Sequence, residues 1–141
     1  MAHDPAKSDL RPPSPVVLAV PVAAKICTLN DRMSWKAELG PKRKWRDAAE
    51  AAAIAWDPER YDPLPGRWYL RISYPVTQPN RRRDPHNWIR TSKWLIDGLV
   101  LSGLLADDDS DHVIVLDAAF HPAKDCAAVI VRLAPTLEEM P

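Results

Sequence analysis

The chain has few cysteines and no stretch that is apolar enough to anchor it in a membrane. Cys27 and Cys126 lie far apart and form no CxxC pair, which argues against a disulfide scaffold and against a cysteine zinc site. The apolar run from Val16 to Ala24 is interrupted by Pro21 and is too short for a transmembrane span. We therefore expect a soluble, cytoplasmic protein with no membrane partner.

The chain also has no net charge, although its charges are segregated. The formal net charge is +0, yet basic residues cluster at positions 42–46 and 81–83, while acidic residues cluster at 107–111 and 138–139. Because clustered charges determine the local surface potential, a zero sum does not exclude a polyanionic partner. The clusters predict a cationic surface and an acidic surface on the same molecule.

No internal repeat and no low-complexity tract is present. A length of 141 residues with 46% hydrophobic content predicts one compact domain with a real core. Residues 1–15 are rich in proline and charge and have no apolar period, which is typical of a disordered or extended N-terminal arm. The single domain is expected over residues 16–135, and residues 136–141 are expected to form a C-terminal tail.

Two main helices are predicted. Ser34 is a suitable N-cap ahead of Trp35, but Gly40-Pro41 is expected to interrupt any long helix, so the stronger helix is predicted over residues 42–56. Apolar residues recur at helical spacing from Trp88 to Leu101, and Gly103 follows as a C-terminal cap.

Four stretches rich in β-branched and aromatic residues predict strands at 16–20, 67–76, 112–120 and 126–133. In the second stretch, Trp68, Leu70, Ile72 and Tyr74 would share one face. The last two stretches flank a short polar segment and predict an antiparallel hairpin. The order of elements predicts an α/β (α+β) fold in which two main helices pack on a small mixed sheet of about four strands.

The most informative segment joins a cationic run to two acidic positions across the second predicted helix. It begins at residues 81–83, continues through Asp84-Pro85-His86-Asn87, and ends at the acidic run 107–111. Carboxylates bind hard divalent cations and arginines bind phosphate, so this combination suits a protein that processes a nucleic acid backbone.

Both acidic positions also fit ordinary structural roles. An aspartate before proline, as at Asp84-Pro85, is the pattern of a helix N-cap. An isolated acidic run such as 107–111 is more often a solvated turn. A calcium loop fits poorly because an EF-hand that began at Asp107 would have His112 in its glycine place and Ala118 in its glutamate place.

Taken together, these residues resemble the RusA family of Holliday junction resolvases, which phages and prophages often encode. Members carry an arginine-Asp-x-Asp-Asn segment, a helix with Lys and Asp-Ala/Gly-Leu, a glycine and an Asp-Asp pair. The likeness spans about residues 81–113, with weaker support from residues 30–32. The matching positions are Arg83-Asp84, Asn87, Lys93, Asp97-Gly98-Leu99, Gly103 and Asp107-Asp108.

The resemblance implies a homodimeric, Mg²⁺-dependent endonuclease that nicks four-way DNA junctions symmetrically in recombination, repair or phage DNA processing. It implies that Asp84, Asp107 and Asp108 hold the metal and that Lys93 stabilises charge on the phosphate. A phage-encoded member would act in the cytoplasm of the bacterial host. DNA-backbone contacts are expected from the basic residues Arg81, Arg82, Arg83, Arg90, Lys42, Arg43 and Lys44.

One departure from the family pattern is serious, because His86 stands where the family has its second aspartate. Imidazole is a poor ligand for Mg²⁺ but an acceptable one for Mn²⁺, and His86 is also suited to orient water or contact phosphate. Asp109 and Asp111 are candidates to replace the missing carboxylate. The alternative function is a catalytically weak or inactive module that binds junctions or other nucleic acids.

The predicted helix raises a geometric problem. A helix from near Pro85 to Ser102 would be about 27 Å long, so its two ends cannot share one metal ion. We expect either that the helix begins later, with Asp84 on a loop folded back along it, or that each site forms between two subunits.

The tryptophans are mostly expected in the core, as for Trp56 and Trp68. Trp88 and Trp94 lie beside the basic segment and are the better candidates to wedge a junction open.

Overall fold

A computed structural model describes residues 15–60 and 62–140 of the chain. The predicted N-terminal arm therefore lies outside the described residues, apart from its last position. The elements follow in the order β1 (Val16–Val20), α1 (Trp35–Trp56), β2 (Trp68–Val76), the 3-10 helix η1 (Pro85–Trp88), α2 (Ile89–Leu101), β3 (Val113–Val115), β4 (Ala119–Pro122) and β5 (Val129–Ala134). The mixed α/β architecture with two main helices is confirmed, with five strands rather than about four.

The sheet is built around β2, which has partners on both sides. β5 runs antiparallel to both β1 and β2, whereas β3 and β4 run parallel to β2. The segments β3 and β4 lie along the same edge of β2, and between them the Leu116 amide donates to the Leu70 carbonyl at 2.8 Å. They are therefore two pieces of one interrupted strand.

The predicted hairpin between residues 112–120 and 126–133 is wrong, because β2 lies between these two segments. A hairpin would leave one edge of β2 without a strand partner. Most of β2 is buried, and buried backbone groups without hydrogen bonds are costly. Pairing on both sides satisfies the backbone of this central strand.

The core lies between one face of the sheet and the two helices. Alternate residues of β1, β2 and β5 are buried, including the predicted face of Trp68, Leu70, Ile72 and Tyr74. The helices contribute Trp45 and Ala49 from α1 and Leu95 and Leu99 from α2 to the same apolar cluster. After β5, residues 135–139 are exposed.

The first helix is continuous, so the expectation that Gly40-Pro41 would interrupt it is wrong. Ser34 caps the helix as predicted, since its side chain accepts a hydrogen bond from the Ala37 amide at 3.1 Å. Tertiary contacts hold the turns on either side of Pro41: Glu38 lies 3.6 Å from Arg90, and the Trp45 indole donates to the Lys25 carbonyl at 3.0 Å. These contacts outweigh the local preference of proline here.

The two helices run side by side in the same direction. Arg90 near the start of α2 pairs with Glu38 near the start of α1, and Gly98 packs against Arg46 and Ala49 further along. Gly103 has a φ of 84° and ends α2 as predicted, with its amide donating to the Val100 carbonyl at 3.0 Å. Neither long helix, nor any other helix in the described part of the chain, has a segment apolar and long enough to cross a membrane.

Candidate active site

The acidic run does not continue away from the end of α2 but folds back along it. Leu104 and Leu105 are buried directly after Gly103, and the Leu105 amide donates to the Leu99 carbonyl at 3.3 Å. The exposed residues 106–111 then lead to β3, which lies beside β2. As a result, Asp108 lies beside Lys93 and Ile96 in the middle of α2.

Two neighbouring cavities form where this loop meets the helices. The first, which we name the acidic cleft, has a volume of about 370 Å³ and is open to solvent. Its walls come from α1, from α2 and from the loop, and they are formed by Lys42, Arg46, Asp97, Val100, Leu101, Asp107 and Asp108.

The second cavity, which we name the lysine cavity, has a volume of about 180 Å³. It is largely apolar, and it is lined by Ile89, Ser92, Lys93, Ile96, Asp108 and Val115. Asp108 lines both cavities, so the lysine cavity and the acidic cleft are adjacent.

The structure therefore brings together several of the residues that the sequence singled out. Lys93, Asp107, Asp108 and Lys42 all lie around these two adjacent cavities. The candidate site residues from the sequence did not include Asp97 and Arg46, which also line the acidic cleft. The signal was present: Asp97 follows Lys93 by four residues and Arg46 follows Lys42 by four residues, which places each pair on one helix face.

Asp84 lies elsewhere, as the N-cap of η1. Its carboxylate accepts a hydrogen bond from the His86 amide at 3.0 Å, and it lines neither cavity. Both Asp84 and His86 are exposed. The loop that folds back along α2 is thus the acidic loop and not the loop of Asp84, which differs from the first of the two expected arrangements. A site shared between subunits stays a prediction.

Two of the expected DNA-binding arginines have partners within the chain. Arg83 donates to the carbonyls of Gln78 at 2.6 Å and Arg81 at 3.0 Å, and it lies over the ring of Phe120. Arg90 donates to the Asp31 carbonyl at 2.9 Å, besides its pairing with Glu38. The Arg83 contacts hold the loop before η1, and the Arg90 contacts tie the start of α2 to the loop between β1 and α1 and to α1 itself.

The remaining members of the predicted basic set lie at the surface. Arg81 and Arg82 on the loop before η1 are exposed, as are Arg43 and Lys44 on α1. Lys42 is only partly exposed because it lines the acidic cleft. The DNA contacts of all these residues stay predictions.

The acidic loop is shaped by its own side chains. Asp107 accepts a hydrogen bond from the Asp108 amide at 2.7 Å, and Asp109 accepts one from the Asp111 amide at 3.1 Å. Asp109 also lies 2.6 Å from Nδ1 of His112.

The pair of Asp109 and His112 favours its charged form. The hydrogen bond from His112 lowers the pKa of the Asp109 carboxyl below its ordinary value. The same hydrogen bond, together with the negative charges of Asp109, Asp107 and Asp111, raises the pKa of His112. Asp109 is therefore engaged in holding the loop, which makes it a poor replacement for a missing metal ligand.

The donor set of the cleft suits a hard cation only in part. Among residues 15–60 and 62–140, no three His, Cys, Asp or Glu side chains are grouped closely enough to hold a metal ion. However, Mg²⁺ in proteins is usually bound by one or two carboxylates together with waters and substrate phosphates. Asp107 and Asp108 supply two adjacent carboxylates on an open cleft, and Asp97 supplies a third on the same cleft.

The two tryptophans considered as junction wedges have core contacts instead. Trp94 is only 5% exposed, and Trp88 packs between Tyr74 and Phe120, with ring centroids 5.0 Å apart in each case. Trp68 is buried, as predicted. Trp35, which the sequence analysis did not consider as a wedge, is 69% exposed at the start of α1.

Comparisons of the chain with family models, with curated proteins and with solved structures give no match. The relation to RusA resolvases therefore stays a resemblance in the motif at residues 81–113.

Proposed function

We propose that this chain is a metal-dependent endodeoxyribonuclease that cleaves branched DNA, such as four-way junctions, with Mg²⁺ or Mn²⁺ as cofactor. The observation that supports the proposal most is the position of Lys93, Asp97, Asp107 and Asp108 around two adjacent cavities. These residues come from two separate segments, and all four carry the resemblance to the resolvase motif. Asp108 lines both cavities and so connects Lys93 in one with Asp97 and Asp107 in the other.

Each residue has a role that follows from phosphodiester hydrolysis. The attacking water must lose a proton, and the negative charge that develops on the phosphate must be offset. Asp107 and Asp108 would hold the metal ion together with waters and phosphate oxygens. Asp97 lies on the same cleft, but among the described residues it completes no three-residue metal group. When bound, the ion makes its water more acidic and offsets phosphate charge.

Lys93 is suited to bind a non-bridging oxygen of the same phosphate. Its cavity also contains Ile89, Ile96 and Val115, which leave few competing polar partners near the ammonium group. Lys93 is itself exposed, so its ammonium group is accessible to a phosphate that enters from solvent.

Cleavage of a synthetic four-way junction tests the proposal. With Mg²⁺ or Mn²⁺ we expect the wild-type protein to nick the junction but not a linear duplex, and EDTA to stop the reaction. Lys93→Ala and Asp108→Asn should each lower the single-turnover rate at saturating DNA by about 100-fold, because each removes a group that acts on the phosphate.

Asp117→Asn is the matched control, since it makes the same chemical change at an exposed position outside both cavities. Its rate should equal the wild-type rate. Full activity of Asp108→Asn would contradict the assignment of the acidic cleft as the active site.

The second candidate function is a module that binds junctions without cutting them. It is favoured by His86 at the place of the second family aspartate and by the capping role of Asp84. In that case the wild-type protein should hold the junction intact in both metals, and Asp108→Asn should bind it as tightly as the wild type does.

A further inference from the structure

The basic segment of α1 is divided between two sides of the helix. Lys42 and Arg46 line the acidic cleft, whereas Arg43 and Lys44 are exposed and do not line it. An α-helix has 3.6 residues per turn, so residues four apart share a face while the residues between them point elsewhere. The four charges that look equivalent in the sequence are therefore in two different environments.

Arg46 has an unusual environment at the cleft. Its Nε atom is buried and has no hydrogen-bond partner among the described residues, and the nearest carboxylate oxygen, on Asp47, is 4.0 Å away. The described residues also contain no ion pair within 4.0 Å between Lys42 or Arg46 and a carboxylate of the cleft. The Nε atom is enclosed and cannot reach a ligand directly, but the Arg46 side chain as a whole is 34% exposed, so its exposed part is available to one.

The fold also fixes the position of Arg46. Its backbone carbonyl packs directly against Gly98, next to Asp97. This close contact places the cationic wall on α1 beside the acidic wall on α2 and the loop.

We infer that Lys42 and Arg46 are a phosphate-binding pair that holds the DNA strand at a phosphate next to the one at Asp107 and Asp108. Carboxylates repel phosphate, so a strand that enters the cleft needs cations on the other wall. A guanidinium and an ammonium supply them, and the planar guanidinium is able to bind two phosphate oxygens at once. The inference rests on the proposed function in taking DNA as the ligand and in placing one phosphate at Asp107 and Asp108.

Salt dependence of binding provides the test. Each phosphate that a cation contacts releases counterions, and loss of one contact lowers the slope of log affinity against log salt concentration by about 1. We would measure the anisotropy of a fluorescein-labelled four-way junction in EDTA, at salt concentrations from about 50 to about 200 mM.

Lys42→Gln/Arg46→Gln should lower the slope by about 2 and weaken binding by about 10-fold or more at the lower salt concentration. The matched control is Lys36→Gln/Arg67→Gln, which removes one lysine and one arginine at exposed positions outside the cleft and outside the predicted basic set; it should change the slope by less than about 1. Arg46→Lys in the Lys42→Gln background should recover about 1 of the lost slope, because a cation is restored.

The outcomes separate this inference from the proposed function. Equal slopes for the cleft double variant and its control would overturn the inference, even if the wild-type protein cuts DNA. A lower slope for the cleft variant alone would support it, even if the wild-type protein cuts nothing. A wild-type protein that binds no DNA would overturn both, and circular dichroism melting of each variant would exclude misfolding as the cause of any loss.

Discussion

Gly98 determines how closely the two helices approach each other. A Cβ atom at this position would collide with the carbonyl oxygen of Arg46 and would lie 2.8 Å from Cβ of Ala49. Real Cβ atoms do not make such contacts, and neither obstacle is the flexible end of a long side chain. Glycine is therefore required here by the packing of α1 against α2, and not by an unusual backbone angle.

Gly98→Ala should destabilise the protein by about 1 to 3 kcal/mol, because overpacking forces α1 and α2 apart. Urea unfolding followed by circular dichroism measures this change.

Gly40→Ala is the comparison, since Gly40 also lies within a helix and an added Cβ would meet nothing within 4 Å apart from its two chain neighbours. It should change the stability by less than about 1 kcal/mol, because the lower backbone entropy of alanine is opposed by the contact between its Cβ and the ring of Pro41. A gain in stability for Gly98→Ala would contradict the packing role of Gly98.

Single residues show why the sequence predicted only part of the site. The acidic and basic character of Asp84, Arg83 and Arg90 is visible in the sequence, but their partners are not. Arg90 bonds to the carbonyl of Asp31, which lies 59 positions earlier, and the cap formed by Asp84 was one of two open interpretations. A charge pattern indicates that a residue can bind phosphate or metal. The fold determines which groups of the chain lie close enough to form hydrogen bonds or ion pairs with it.

At the scale of elements, α1 shows the competition between local preference and tertiary contact. Proline within a helix lacks an amide donor and crowds the carbonyl four residues earlier, which for Pro41 is the carbonyl of Ala37. Nevertheless the helix continues through Pro41, with the Ser34 cap and the Glu38 ion pair before it and the buried Trp45 after it. The packed face of α1 offsets the cost of Pro41.

Pro41→Ala should therefore stabilise the protein by about 1 to 3 kcal/mol, because alanine restores a backbone donor and removes the steric conflict. Thermal and urea unfolding would both detect a change of this size.

Pro79→Ala in the exposed loop after β2 is the control. It should give no gain and up to about 1 kcal/mol of loss, because proline restricts the unfolded chain. If Pro41→Ala instead lowered stability, the helix would have to be broken near Gly40, as the sequence alone suggested.

The positions of the strands could be predicted from the sequence, but which strands pair with each other could not. Strand-forming residues identified β1, β2 and β5, because alternation and β-branched side chains are local signals. The partner of each strand depends on contacts between distant segments. Residues 112–120 and 126–133 are neighbours in sequence, yet β2 separates them, since the buried β2 needs partners on both edges.

At the scale of the whole molecule, the chain reverses direction after α2, and this reversal determines which acidic residues lie close together. The buried pair Leu104 and Leu105 turns the chain, and Asp108 then lies beside Lys93. From the sequence alone the acidic run is expected beyond the end of the helix, because no local signal shows that a loop folds back. This turn brings Asp107 and Asp108 to Asp97, but it leaves Asp84 on the loop before η1.

Asp84 does not line the acidic cleft of its own chain, and this separation raises the question of whether a second copy of the chain supplies it. If Asp84 takes part in cleavage and one chain does not bring it to the cleft, a second copy of the chain is the natural source. A two-fold axis makes two identical composite sites, each with Asp84 from one subunit and Asp107 and Asp108 from its partner.

Mixing an Asp84→Asn dimer with an Asp108→Asn dimer tests this arrangement. After random exchange, half of the dimers are mixed and each mixed dimer has one intact site, so nicking should return to about a quarter of the wild-type level. The readout must be nicking of one strand rather than full resolution of the junction, because paired cuts need both sites. If subunit exchange is verified and nicking stays absent, the composite site is excluded, and Asp84 acts either within its own chain or only as the cap of η1.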